Sequence, residues 1–177
     1  LHDKDAMAGF HFSLAQQAMA DGEVGAAIRE YNYAVLYDPR SPELRLDLGS
    51  LLISQGALDE ALEQVRRAVE LAPDNLKART LLAGIAYAQK RYADAERDYR
   101  KVLAEDPRNE DVAVLLASVQ VEQGNKGQGV ATLERFLARD PDNVKARAFL
   151  GRIHAEQGNW KAAERNYERA GRAGGDR

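Results

Sequence analysis

Four prolines, Pro39, Pro73, Pro107 and Pro141, stand 34 residues apart in a chain of 177 residues. An interval kept this strictly marks an internal repeat, and a repeat constrains the fold before any local propensity is weighed. Aligned on the prolines, the sequence resolves into columns. One reads Leu14, Leu48, Leu82, Leu116, Leu150, and the next Ala15, Gly49, Ala83, Ala117, Gly151. A third reads Gly22, Gly56, Lys90, Gly124, Gly158, and a fourth Ala27, Ala61, Ala95, Gly129, Ala163. Two more are Tyr31, Val65, Tyr99, Leu133, Tyr167 and Ala34, Ala68, Val102, Phe136, Ala170. The unit therefore runs five times, and only the fifth lacks its closing proline.

Each column has a physical task. Between columns, apolar residues recur at three and four positions, the helical period. The leucine and the small residue after it fit the inner face of a first helix. The glycine column ends that helix where a left-handed residue is needed. The alanine column suits the point where two helices cross closely, and the proline stops the second helix. Ser41 before Pro42 reads as an N-cap with proline at the first helical position, and Asn75, Asn109 and Asn143 are candidate caps at equivalent places. Connections of a few residues make neighbouring helices antiparallel.

The pattern resembles the tetratricopeptide repeat, a helix-turn-helix unit of this length with leucine, small, aromatic and proline positions in this register. The match covers roughly residues 8–171, as repeats of about 8–41, 42–75, 76–109, 110–143 and 144–171. Residues 1–7 read as a frayed lead-in and 172–177 as a flexible tail. The resemblance implies an all-α, right-handed superhelical solenoid with the first helices on its concave side. Two departures stand out. The aromatic usual early in the first helix is replaced by His11, Arg45, Arg79, Ala113 and Arg147. Gly127 and Gly129 open the second helix of the fourth hairpin, which is expected to be the softest. Tyr92 and Trp160, in one column with Val24 and Leu58, read as core residues.

In this family ligands meet first-helix positions facing the groove. Carried over repeat by repeat, these are Phe12, Gln16 and Met19; Leu46, Ser50 and Ile53; Lys77, Thr80, Gly84 and Tyr87; Val114, Ser118 and Val121; and Lys145, Ala148, Arg152 and Glu156. Two family specialisations do not fit. A carboxylate clamp would place asparagine where Gln16, Asp47 and Ser50 stand. A sugar-transferase asparagine ladder would place it at Ser13, Asp47, Leu81, Leu115 and Phe149. The surface suits an extended or helical segment with apolar anchors, and with acidic residues near Lys77, Lys145 and Arg152.

The sequence offers no catalytic constellation. Cysteine is absent, which excludes disulfides, thiolate nucleophiles and zinc–thiolate sites. His2 lies in the lead-in. His11 and His154 stand four repeats apart at packing positions, where they cannot converge on a metal. The glycines from Gly124 to Gly129 follow a helix rather than a strand and lack the ending of a phosphate loop. No cofactor motif is present. A net charge of −3 with interleaved basic and acidic residues argues against nucleic acid, and the longest apolar run is too short to insert in a membrane. The expected partner is a protein or peptide, and a homodimer through the terminal hairpins is a further expectation.

Two alternatives stand beside a binding scaffold: a regulatory or targeting module of a larger enzyme or membrane-anchored assembly protein, and a self-associating structural module. The start at Leu1 and the composition lean towards a bacterial chain trimmed from a periplasmic or lipid-anchored protein, with the cytoplasm left open, since an absence of cysteine suits either compartment.

Overall fold

The computed structural model of the chain describes residues 3–175. Ten helices follow one another as hairpins among them: α1 Lys4–Ala20, α2 Val24–Tyr37, α3 Pro42–Ser54, α4 Leu58–Leu71, α5 Leu76–Ala88, α6 Tyr92–Glu105, α7 Glu110–Glu122, α8 Lys126–Leu137, α9 Val144–Glu156 and α10 Trp160–Gly175. The chain divides into two compact units, Leu1–Ile85 and Ala86–Arg177.

The turns explain why the columns exist. Gly22, Gly56, Gly124 and Gly158 have φ between 75° and 81°, and Lys90 takes the same left-handed conformation at φ 59°. The amide after each of them returns to a carbonyl five residues back: Glu23 to Ala18, Ala57 to Leu52, Arg91 to Ala86, Asn125 to Gln120 and Asn159 to His154, at 2.8–3.0 Å. This closes the first helix and satisfies a carbonyl otherwise left open. Lys90 keeps the geometry at a steric cost of roughly 1–2 kcal/mol, because its Cβ crowds the following carbonyl. The caps are as the sequence predicts. Ser41 Oγ accepts from the Leu44 amide at 3.2 Å, and Asn75, Asn109 and Asn143 accept from Ala78, Val112 and Ala146 at 3.0–3.1 Å.

In the first unit, α1 pairs with α2, α2 packs on α3, and α3 pairs with α4. The core there holds Ala15, Ala27, Tyr31, Leu48, Ala61, Val65 and Ala68. In the second unit, α7 pairs with α8 and α9 with α10, while α6 packs on α7 and α8 on α9. Its core holds Ala117, Leu133, Phe136, Leu150 and Ile153. The small column is small for a reason. A Cβ on Gly49 would stand 2.8 Å from Val65 Cγ2, and one on Gly151 would stand 2.9 Å from the Tyr167 ring.

The ends differ from the expectation. Helix α1 already opens at Lys4, because Asp3 caps it through the Asp5 amide at 3.1 Å, so the segment up to Met7 is largely helical. Leu1 and His2 lie outside the described residues, as do Asp176 and Arg177. Helix α10 runs through Gly171 and Gly174 to Gly175. Ala163 and Ala170 are buried, as are the other alanines of their columns. Trp160, expected in the core, is 70% exposed, while Val24 and Leu58 of the same column pack against the first core. The difference is positional: among the described residues no first helix follows α10 to cover its outer side.

Candidate functional site

The first helices carry the candidate binding surface, and each unit contributes its own part. In the first unit, α1 supplies Phe12, Gln16 and Met19. Phe12 is half-buried, edge-on to Tyr31 with ring centres 6.1 Å apart, and Gln16 and Met19 are exposed. Helix α3 supplies Ser50 and Ile53, both half-buried, with Ile53 leaning on the core. Leu46 does not belong to this surface. It is 3% exposed and part of the core, because at its place in α3 it is enclosed by its neighbours. Lys77 is exposed and Thr80 half-buried on α5. Beside Phe12 opens a cavity of about 330 Å³ whose lining includes Asp5, Asp38, Glu43 and Asp47.

In the second unit the surface is aromatic and cationic. Tyr87, at the end of α5, faces Tyr92 with ring centres 5.7 Å apart and an interplanar angle of 49°. Burial, then Glu122 and Tyr92, push the Tyr87 hydroxyl above its ordinary pKa, and Arg152 opposes them. Arg152 lies over the Phe149 ring at 4.4 Å, with Glu156 3.9 Å from its Nε. Val114, Ser118 and Val121 of α7 are half-buried, and Val114 and Val121 rest on the core. Lys145 departs from its expected role as a free cation. Its ammonium lies 2.7 Å from Glu110 and 3.0 Å from Asp111, and the hydrogen bonds to these carboxylates push its pKa well above the ordinary lysine value. A carboxylate on a ligand would have to displace them.

What the sequence reading missed is the use made of the replaced aromatic position. Arg45 donates through Nε and Nη2 to the Pro39 carbonyl at 3.1 and 2.8 Å, and through Nη1 to Gln64 Oε1 at 2.8 Å. Arg147 repeats this, donating to the Pro141 carbonyl at 2.8 Å and to Asn166 Oδ1 at 3.0 Å. Arg79 reaches the Pro73 carbonyl at 2.9 Å. One guanidinium thus ties the inter-hairpin turn to the facing helix. Burial lowers the pKa of both Arg45 and Arg147, and a second arginine, Arg67 or Arg169, adds to it. In the first hairpin His11 fills the same place, with Nδ1 2.7 Å from Glu30 and its ring stacked on Tyr37. The signal was available: these residues recur in phase, and a polar residue stands nineteen positions on each time.

The fourth hairpin has Ala113 there and uses another lock. Gln120, 1% exposed, accepts from the Thr132 hydroxyl at 2.8 Å and donates to Glu96 at 3.1 Å. Gln123 also donates to Glu96, at 2.8 Å, and Arg100 pairs with it at 2.6 Å. Burial alone would raise the Glu96 pKa, but the hydrogen bonds from Arg100, Gln120 and Gln123 leave it lowered.

No group of three or more possible metal-ligating side chains occurs among the described residues, and no helix among them is long and apolar enough to cross a membrane. The Nδ1 of His154 is buried without a hydrogen-bond partner.

The sequence profile of the tetratricopeptide repeat matches residues 18–85, 86–142 and 127–177. The chain belongs to the tetratricopeptide repeat family. Such modules typically mediate protein–protein interaction and are typically non-catalytic. Among solved structures, the fold is similar to that of MamA 41-end from Desulfovibrio magneticus RS-1, at a TM-score of 0.85 and 18% identity over 97% of each chain. A further MamA crystal structure gives 0.83 at 18% identity, over 94% of this chain and 91% of the other. A tetratricopeptide repeat protein from Parabacteroides merdae ATCC 43184 gives 0.84 at 18% identity, over 93% of this chain and 66% of the other. At these identities the likeness is one of fold. No curated protein sequence matches the chain.

Proposed function

We propose that the protein is an interaction scaffold whose first-helix face in the second unit binds a segment of a partner protein. The observation that carries this reading is the grouping of Tyr87, Tyr92 and Arg152. The two tyrosines form a ring pair, and in the same unit the guanidinium of Arg152 lies over Phe149. Aromatic and arginine side chains dominate binding energy at interfaces, since they offer large area and a planar donor set at small entropic cost. Val114 and Ser118 lie half-buried on α7 of the same unit. A helical or extended segment with an apolar anchor fits such a surface. In the first unit the exposed contributors are Gln16, Met19 and Lys77, and the cavity beside Phe12 is acidic, which favours a partner segment of different charge there.

The test is capture of partners on the immobilised chain, followed by Tyr87→Ala and Arg152→Ala. Each should weaken the recovered interaction about tenfold or more. Unchanged binding by both variants would exclude this face.

A second reading, end-to-end self-association, rests on a separate observation. Leu14 is 39% exposed where Leu48, Leu116 and Leu150 are buried, and Tyr167 is 45% exposed where Tyr31, Val65, Tyr99 and Leu133 are buried. These exposures support a reading in which a second copy covers them. Light scattering that gives only monomer over a wide concentration range would remove it.

A further inference from the structure

The second helices of the second unit carry two cavities outside the face discussed so far. One, of about 350 Å³, lies between α6 and α8 over Leu103, Leu116 and Phe136. Arg100, Arg135 and Arg139 line it, with no carboxylate among the described lining residues. The other, of about 390 Å³, lies among α8, α9 and α10 over Leu137 and Leu150, with Arg165, Arg169 and His154 in its wall and Glu134 as its one acid. They are the same place in successive repeats, since Leu103 and Leu137, Leu116 and Leu150, and Arg135 and Arg169 are each one repeat apart.

The cations are partly uncommitted. Arg100 is held by Glu96, and Arg169 reaches Asp142 at 3.2 Å. Among the described residues Arg139 donates to the Arg135 carbonyl alone, at 3.1 Å. All three of Arg135, Arg139 and Arg165 are exposed, and no ion pair holds them among the described residues. Below the second cavity Arg147 is already committed to Pro141 and Asn166. The unpartnered Nδ1 of His154 adds a polar atom without a mate.

We propose that these tandem grooves dock an acidic polypeptide segment bearing apolar anchor side chains. Its carboxylates meet Arg135, Arg139, Arg165 and Arg169, and its anchors fill the leucine floors. Charge complementarity selects the sign, and the planar guanidinium fork selects carboxylate. The apolar floor selects an amphipathic segment over a simple anion, and the repetition selects a polymer over a small molecule. A lipid surface fits less well, because the floors are recessed between helices and Glu134 and Asp142 stand beside the cations. The site is separate from the first-helix face, so each can fail without the other.

The experiment is fluorescence anisotropy with the whole chain and an end-blocked, fluorescein-labelled peptide of glutamates interrupted by leucines. Binding is expected to fall about tenfold in Arg135→Glu/Arg139→Glu, and similarly in Arg165→Glu. Arg40→Glu, a charge reversal at an exposed turn position outside both cavities and the first-helix face, should leave it unchanged. The same peptide with serine in place of leucine should bind at least about tenfold more weakly. Circular dichroism confirms that the variants fold, and Arg165→Glu stands alone if the double variant does not. The proposal is overturned by equal binding of the serine peptide or by full binding to the glutamate variants. Capture of phosphatidylserine vesicles through these arginines without peptide binding would also overturn it.

Discussion

The hairpins α3/α4 and α7/α8 share one backbone and hold it with opposite chemistry. In α3/α4 the polar lock is on the rim, where Arg45 joins the Pro39 carbonyl to Gln64 across the hairpin. In α7/α8 the rim position is Ala113, and the lock has moved inward to Gln120, Thr132 and Glu96. The small-residue crossing is common to both, through Ala61 and Gly129. The repeat thus requires the close approach of two helices, while the hydrogen bond that fixes their register can sit in water or in the core. A buried bond is the more consequential, because breaking half of it strands a partner away from solvent.

The largest effect should come from the buried lock. Gln120→Leu removes the acceptor for Thr132 and one donor to Glu96, and should cost about 2 kcal/mol in urea unfolding. Thr132→Val should cost about 1–2 kcal/mol, and the double variant less than the sum, because both partners are then apolar. The pH dependence should move as well. Glu96 has a folded-state pKa below its usual 4.5. Its contribution is therefore present above the ordinary carboxylate range and is lost as pH falls through the lowered value. In Gln120→Leu the shift shrinks, so less stability should be lost on acidification and the loss should be complete at higher pH. An unchanged acid limb would remove Gln120 from the account.

The next effect compares two walls of the small column. Gly49→Ala pushes against Val65, which is wholly buried, and should cost about 1–3 kcal/mol. Gly151→Ala meets the ring of Tyr167, which stands half in solvent and can swing away, so the cost should be under about 1 kcal/mol. Equal destabilisation would show that the last hairpin is as tightly walled as the second.

These contrasts show how far the sequence could be read. The columns gave the turn glycines, the caps and the inner face from the second hairpin on, because period and turn chemistry act locally: Gly22 is left-handed and Asn109 caps wherever the hairpin goes. The candidate surface was less legible. Leu46 and Met19 were both assigned to it, yet one is buried and the other exposed, since burial depends on which neighbour arrives. Lys145 carries no mark in sequence of its two carboxylate partners, one repeat earlier on α7. Trp160 keeps its column but has no covering helix among the described residues. The arginine clasp was in view as a departure from the family pattern, and only the carbonyl it meets makes it a structural device.

Moving to the rim lock, Arg45→Met should cost about 1 kcal/mol. The hydrogen bonds lost are partly solvated and the aliphatic stem still packs. Placing arginine at Ala113 should not recover a clasp, because Ala113 is fully buried and Thr132 already serves Gln120. A gain in stability from Ala113→Arg would mean that the two locks can coexist, and the contrast between the hairpins would lose its basis.

The smallest effect tests the expected softness of α8. Gly127 has open space around it, so alanine there should stabilise by up to about 1 kcal/mol through helix propensity. Gly129 is different. A Cβ would stand 3.1 Å from Val121 Cγ2 and 3.2 Å from the Ala117 carbonyl oxygen, and a carbonyl in the middle of a packed helix does not move cheaply. Gly129→Ala should therefore give no net gain, its propensity term offset by crowding. Amide exchange across Lys126–Leu137 separates the two: slower in Gly127→Ala, unchanged or faster in Gly129→Ala. If both slow it equally, glycine at the crossing is only a source of backbone freedom, and the fourth hairpin is loose where its neighbours are tight.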